Sequence, residues 1–111
     1  MPIVKIDYQN DVFSAEEMQS IAGSIQEFTA EVTGYTLADI SVFASANQIT
    51  INAAPIEVYV YATFPNKTEE SMGEMLEKLK ALVQKFKEEK GITIPFNLSV
   101  VKMNWQFQLE V

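Results

Sequence analysis

"PIVKIDY", residues 2–8, returns 53 positions later as "PIEVYVY", residues 55–61, and the reading of the fold turns on this echo. Both copies open on Pro-Ile and then alternate. In the first, Val4, Ile6 and Tyr8 share one side, with Ile3, Lys5 and Asp7 on the other. In the second, Ile56, Val58, Val60, Ala62 and Phe64 alternate with Glu57, Tyr59, Tyr61 and Thr63. A period of two marks a strand with unlike faces. Proline suits the start of such a strand, because it has no N–H to contribute to the ladder.

A helix pattern follows each strand. "FSAEEM", residues 13–18, supplies Ser14 as N-cap, Glu17 as its capping-box partner, and Phe13 with Met18 as a hydrophobic staple. Met18, Ile21, Ala22, Ile25, Phe28, Thr29 and Val32 then recur at three- and four-residue spacing, and Gly34 closes the helix. In the second half, "PNKT" (65–68) breaks the strand and Thr68 is read as the next helix cap. Met72, Met75, Leu76, Leu79, Leu82, Val83 and Phe86 form the stripe, and Gly91 ends it. Glutamates crowd the start of this helix and Lys85, Lys87 and Lys90 its end, which suits the macrodipole.

The return strands are weaker. Asp39–Ala44 is predicted as one, through Ile40, Val42 and the opposite-facing Phe43; Phe96, Leu98 and Val100 mark the other. "SANQITINAA" (45–54) reads as a turn plus a short edge segment carrying Ile49 and Ile51. After Val100 the apolar parity flips to Val101, Met103, Trp105, Phe107, Leu109 and Val111. That predicts a bulge or bend and then a separate C-terminal strand over 104–111.

The sum is a single domain over 1–111, built as two strand–helix–strand repeats, 2–53 and 54–103. Helices of about 18 and 22 residues span roughly 27 and 33 Å, enough for the return leg of a parallel crossover. The predicted class is α+β: a tandem βαβ repeat making a four-stranded mixed sheet with both helices on one face. A ferredoxin-like antiparallel βαββαβ sheet has the same element order and stays open as an alternative.

Composition removes whole classes of chemistry. The chain has no cysteine and no histidine, and all eight of its basic residues are lysines, so thiol catalysis and the commonest metal ligand are excluded. No metal or cofactor is expected. A net charge of −7 argues against nucleic acid and against anionic membranes. No apolar stretch approaches the ~20 residues of a membrane span, and a cytoplasmic location is the expectation. Carboxylate pairs such as Glu16–Glu17 sit in first helical turns, where the helix dipole accounts for them, and most of the methionines fill helix stripes.

Two helices on one side leave the other sheet face bare. Strand parity puts Ile3, Tyr59, Tyr61, Thr63 and Phe43 there, beside Lys5, Asp7 and Glu57. An apolar patch of that size marks an interface, here expected with further copies of the chain.

Three features together resemble the tautomerase superfamily, which includes 4-oxalocrotonate tautomerase and macrophage migration inhibitory factor. They are "MPIVKID" (1–7), the helix-to-strand junction "VTGYTLADISVF" (32–43), and the duplicated βαβ unit; the overall pattern looks most like a small bacterial branch of unknown function. The resemblance implies a homotrimer with the bare sheet faces meeting in the middle and the C-terminal strand reaching a neighbour. It also implies a role for Pro2. With Met1 removed, its nitrogen is a secondary amine that an apolar wall can hold neutral, fit to carry a proton between carbons of a small enol or 2-oxo acid. With Met1 attached, that nitrogen is an amide without basicity, and Pro2 is structural.

By the same resemblance Lys102 or Asn97 would stabilise the enolate oxygen. Lys5, Ile3, Tyr35 and Ser99, with Trp105 and Phe107 of a neighbour, would line the substrate site. The sequence also departs from the family. It has no arginine to hold carboxylates. Tyr35 stands where the inhibitory factor has a lysine, and Asn97 and Ser99 stand where the family has a tyrosine and an asparagine. A non-catalytic trimer that binds a small ligand or a protein is the competing reading.

Overall fold

The two Pro-Ile strands lie side by side and run in opposite directions. In the computed structural model, which describes residues 2–63, 68–103 and 108–111, β1 (Ile3–Gln9) pairs antiparallel with β3 (Ile56–Ala62), Val4 opposite Val60 and Ile6 opposite Val58. Outside this pair, β2 (Ser41–Asn47) lies parallel to β1 and β4 (Phe96–Lys102) lies parallel to β3, giving the order β2-β1-β3-β4. The parallel outer pairs rule out the ferredoxin-like alternative. They require crossovers, which α1 (Ala15–Thr33) and α2 (Thr68–Lys90) provide. At 1.5 Å per residue these span about 28 and 34 Å, more than the roughly 23 Å of a seven-residue strand.

The first helix begins as its sequence dictates. Ser14 Oγ accepts a hydrogen bond from the Glu17 N–H at 3.1 Å, and Glu17 Oε1 accepts from the Ser14 N–H at 3.0 Å, closing the capping box. At the other end Gly34 adopts φ +80° and returns its N–H to the Ala30 carbonyl. Gly91 sits past the end of α2 at φ +66°. The capping role read for Thr68 lies outside the described side chains.

All the buried strand residues face one way. Val4, Ile6, Ile56, Val58 and Val60 meet Met18, Ile21 and Ile25 of α1 and Met75, Leu79 and Val83 of α2 in one apolar cluster on the helix side, and Ala62 is buried on the same side. Thr29 is the one buried polar side chain among the described residues, and its hydroxyl donates to the Ile25 carbonyl at 2.7 Å. That bond within the helix removes the cost of burying the hydroxyl.

Three sequence expectations need correction. The second strand starts later and runs longer than Asp39–Ala44: Leu37–Asp39 form a 3₁₀ turn, and pairing with β1 continues to Asn47. The stretch around Ile49 and Ile51 is not a strand. Both residues stand 85% or more exposed, in a loop tied back by Gln9, whose N–H donates to the Pro55 carbonyl and whose side chain reaches Ala53. No bulge interrupts the last strand either. Its register holds from Phe96 to Lys102 opposite Ile56 to Ala62, so Val101 stands beside Tyr61 on the bare face. The flip in apolar parity records a change in which face needs apolar side chains, with no break in the ladder. Of the segment read as a C-terminal strand, residues 104–107 lie outside the described residues, and 108–111 form no strand within the single chain.

Candidate functional site

Register fixes the bare face as a grid. Ser41, Ile3, Tyr61 and Val101 make one row across the four strands; Phe43, Lys5, Tyr59 and Ser99 the next; Ser45, Asp7, Glu57 and Asn97 a third. The grid is apolar at one end and acidic at the other. Tyr59 and Tyr61 stack at 6.3 Å between ring centroids, and Lys5 Nζ lies 5.9 Å from the centre of the Tyr61 ring. At the acidic end Asn47 Nδ2 donates to Asp7 Oδ1 at 3.2 Å. Partial burial, then the neighbouring Glu57 carboxylate and its hydrogen bond, push the Tyr59 phenol above its ordinary value. A phenol so placed stays protonated at neutral pH and donates to Glu57.

Pro2 occupies the opposite environment. Its side chain is fully buried, and its place one residue before Ile3 sets it on the helix side of the sheet, in line with Val4 and Ile6. Extending the β1–β3 register by one residue brings Pro2 opposite Ala62, which pairs in turn with Lys102. Lys102 is therefore in the Pro2 row, two strands away, roughly 10 Å between backbones. Tyr35 follows Gly34, the cap at the end of α1 that returns to this end of the sheet, and is exposed.

The remaining candidates do not converge on Pro2 within one chain. Ile3 and Lys5 are close in sequence but on the bare face. Ser99 lies in the Lys5 row, and Asn97 lies five rows from Pro2, about 17 Å along the strands. Trp105 and Phe107 lie outside the described residues.

A feature that sequence reading missed sits at the Pro2 end, on the helix side. Val32 and Thr33 from the last turn of α1, Thr63, which strand parity puts on the bare face but which lies just beyond the end of β3, and Ser71, Glu74, Met75 and Lys78 along α2 enclose a groove of about 280 Å³. The spacing 71, 74, 75, 78 is one helical face beside the apolar stripe, a signal present in the sequence. Among the described residues no group of three or more acidic side chains is placed to hold a metal ion, and no helix is long and apolar enough to cross a membrane.

This topology has solved counterparts. A macrophage migration inhibitory factor-like protein from Entamoeba histolytica superimposes with a TM-score of 0.65 at 16% identity, over 96% of this chain and 95% of that one. The chain has the tautomerase fold. A fused 4-OT, described as an asymmetric trimer, shares the tautomerase fold with a TM-score of 0.68 at 9% identity, over 97% of this chain and 92% of that one. Malonate semialdehyde decarboxylase matches at 0.64 and 12% identity, over 98% and 92%. No family model matches the sequence, and no curated protein matches it. The likeness to the tautomerase fold thus lies in backbone arrangement, carried by a divergent sequence.

Proposed function

We propose that this chain is a tautomerase-superfamily protein that assembles as a homotrimer through its bare sheet face. In its mature form it uses the Pro2 amine to move a proton on a small enol or 2-oxo acid. The observation that supports this most directly is the burial of Pro2 at the head of β1, against an apolar core, in this fold. Burial disfavours an ammonium, so a terminal proline nitrogen there is held neutral and able to act as a base. The base takes a proton from the carbon or oxygen of the enol system and returns it to the other end of that system. Lys102, in the same row, is the candidate to stabilise the developing enolate oxygen. Asn97 and Ser99 can join only from a neighbouring copy, because their own Pro2 is too distant.

That same distance, with the lack of arginine and histidine, favours as second reading a trimer that keeps the scaffold and binds a ligand without turning it over. Mass spectrometry of natively expressed protein separates the two first: uniformly retained Met1 excludes amine catalysis. If Met1 is absent, phenylenolpyruvate ketonisation is compared for the wild type and Pro2→Ala. A general base contributes about 10²–10⁴ in rate, so a loss of that order supports the proposal, and equal rates remove Pro2 from the reaction.

A further inference from the structure

We infer that the groove between the end of α1 and the first half of α2 is a binding site for a small monocarboxylate, with Lys78 as its anchor. The inference goes beyond the tautomerase reading and does not depend on it, since binding requires no free amine at Pro2. It begins with where the lysines are. Lys5 is engaged on the bare face with the Tyr61 ring, and Lys87 lies 5.7 Å from the centre of the Phe96 ring. Lys85 and Lys90 are near the far end of α2, and Lys80 faces the β4 side, where it borders a depression with Glu57, Glu77 and Asn97. Among the described residues, Lys78 is the lysine that borders the groove at the Pro2 end. Among the described lining residues, that ammonium is the cation an entering anion meets.

Helical geometry aims it correctly. Side chains on a helix lean towards its N-terminus, so Lys78 is directed along the groove, over Glu74 and Met75, towards the end where α2 begins. Val32 and Met75 supply apolar walls. The Thr33 hydroxyl is already committed, donating to the Thr29 carbonyl at 2.6 Å and accepting from the Tyr35 N–H at 3.4 Å, so it offers a carboxylate no proton. Thr63, beyond the last residue of β3, offers a hydroxyl that can donate. Lys78 and Thr63 together can hold the two oxygens of a carboxylate.

Glu74 sets the selectivity. One ammonium and one carboxylate line the same groove, so a second negative charge on the ligand meets repulsion where a hydroxyl or enol proton meets an acceptor. The volume of about 280 Å³ is at the lower limit of small-molecule sites, which suits a short oxo acid with an apolar tail. The ligand class is therefore a monocarboxylate of a few carbons, in preference to a dicarboxylate.

The test is titration of the full-length protein with 2-oxobutanoate, followed by ¹H–¹⁵N spectra. Saturable shifts centred on Thr33, Thr63 and Lys78 are expected. Loss of a charge-assisted contact is worth about 1.5–3 kcal/mol, so Lys78→Met should weaken binding about 10- to 100-fold, while Lys80→Met on the other side of the helix leaves it unchanged. The dianion 2-oxoglutarate should bind more weakly than 2-oxobutanoate, and Glu74→Gln should narrow that gap. Protein that keeps Met1, whose Pro2 nitrogen is an amide, should show the same shifts at Thr33, Thr63 and Lys78, which separates this inference from the fate of the tautomerase reading. Saturable shifts confined to Lys5 or Lys102 with none at Thr33, Thr63 and Lys78, unchanged groove affinity in Lys78→Met, or no saturable shift at millimolar concentrations would overturn it.

Discussion

Phe43 gives the sharpest handle on assembly. It projects from β2 onto the bare face, in the row of Lys5 and Tyr59, and is 56% exposed in the single chain. Of the roughly 200 Å² that an aromatic side chain can bury, about 110 Å² is still open to water. At about 25 cal/mol per Å², covering it in a trimer contributes just under about 3 kcal/mol per copy, and truncation to alanine forfeits about 2.5. Three copies make about 7.5 kcal/mol, or about 10⁵ in the trimer dissociation constant. That constant scales with the square of concentration, so the half-assembly point of Phe43→Ala should rise roughly three hundred-fold. Sedimentation velocity over a dilution series reads it directly. Wild type should run near three times the 12.5 kDa chain mass and the variant should fall towards the single chain. The far-UV spectrum should not change, because Phe43 takes no part in the core. The reasoning fails if wild type stays at 12.5 kDa throughout, or if the variant keeps the wild-type midpoint.

Other expectations concern the protomer. Ser14→Ala removes the cap of α1 and should cost about 1 kcal/mol in urea unfolding at fixed protein concentration. Hydrogen bonds from the Ser14 N–H, then from its side chain, hold the Glu17 carboxyl below its ordinary value. Its contribution is thus present above that ordinary value, near 4.5, and lost as pH falls through the folded-state value. Glu17→Gln should therefore flatten the acid limb of the stability curve and leave its slope near neutrality alone. Gly34→Ala should cost about 1–2 kcal/mol by the same urea measurement. No atom lies within 4 Å of the added Cβ, so the penalty is that of φ +80° on an alanine and a larger loss would point to a contact.

Much of the architecture is legible because its signals are local. The Pro-Ile echo, the capping box at Ser14 and the glycines at 34 and 91 each act within a few residues, and each is found where it was read. What was misread depends on neighbours that a sequence does not name. Ile49 and Ile51 alternate as a strand does, but a strand also needs a partner edge, and the loop is instead tied to Gln9. Val101 looked out of phase because Val100 points at the helices. Only the register shows that the bare face is itself apolar beside Tyr61, which makes both residues correct on one straight strand. The candidate site is less legible for the same reason. The resemblance names Asn97, whose row lies far from the Pro2 of its own chain, and the groove joins positions 33, 63 and 78 from three segments.

The sheet order has a further consequence. Among the described residues β2 and β4 each keep an outer flank of backbone N–H and C=O groups without a strand neighbour. A unit that is sticky on two sides can grow into an endless fibre or bend round until its ends meet. In the trimer proposed above, ring closure would serve as a protection as well as a way of building a site. Damage to the closing contacts should yield precipitate or fibrils on prolonged incubation of concentrated samples, and mixing in a copy blunted on one flank should cap their growth.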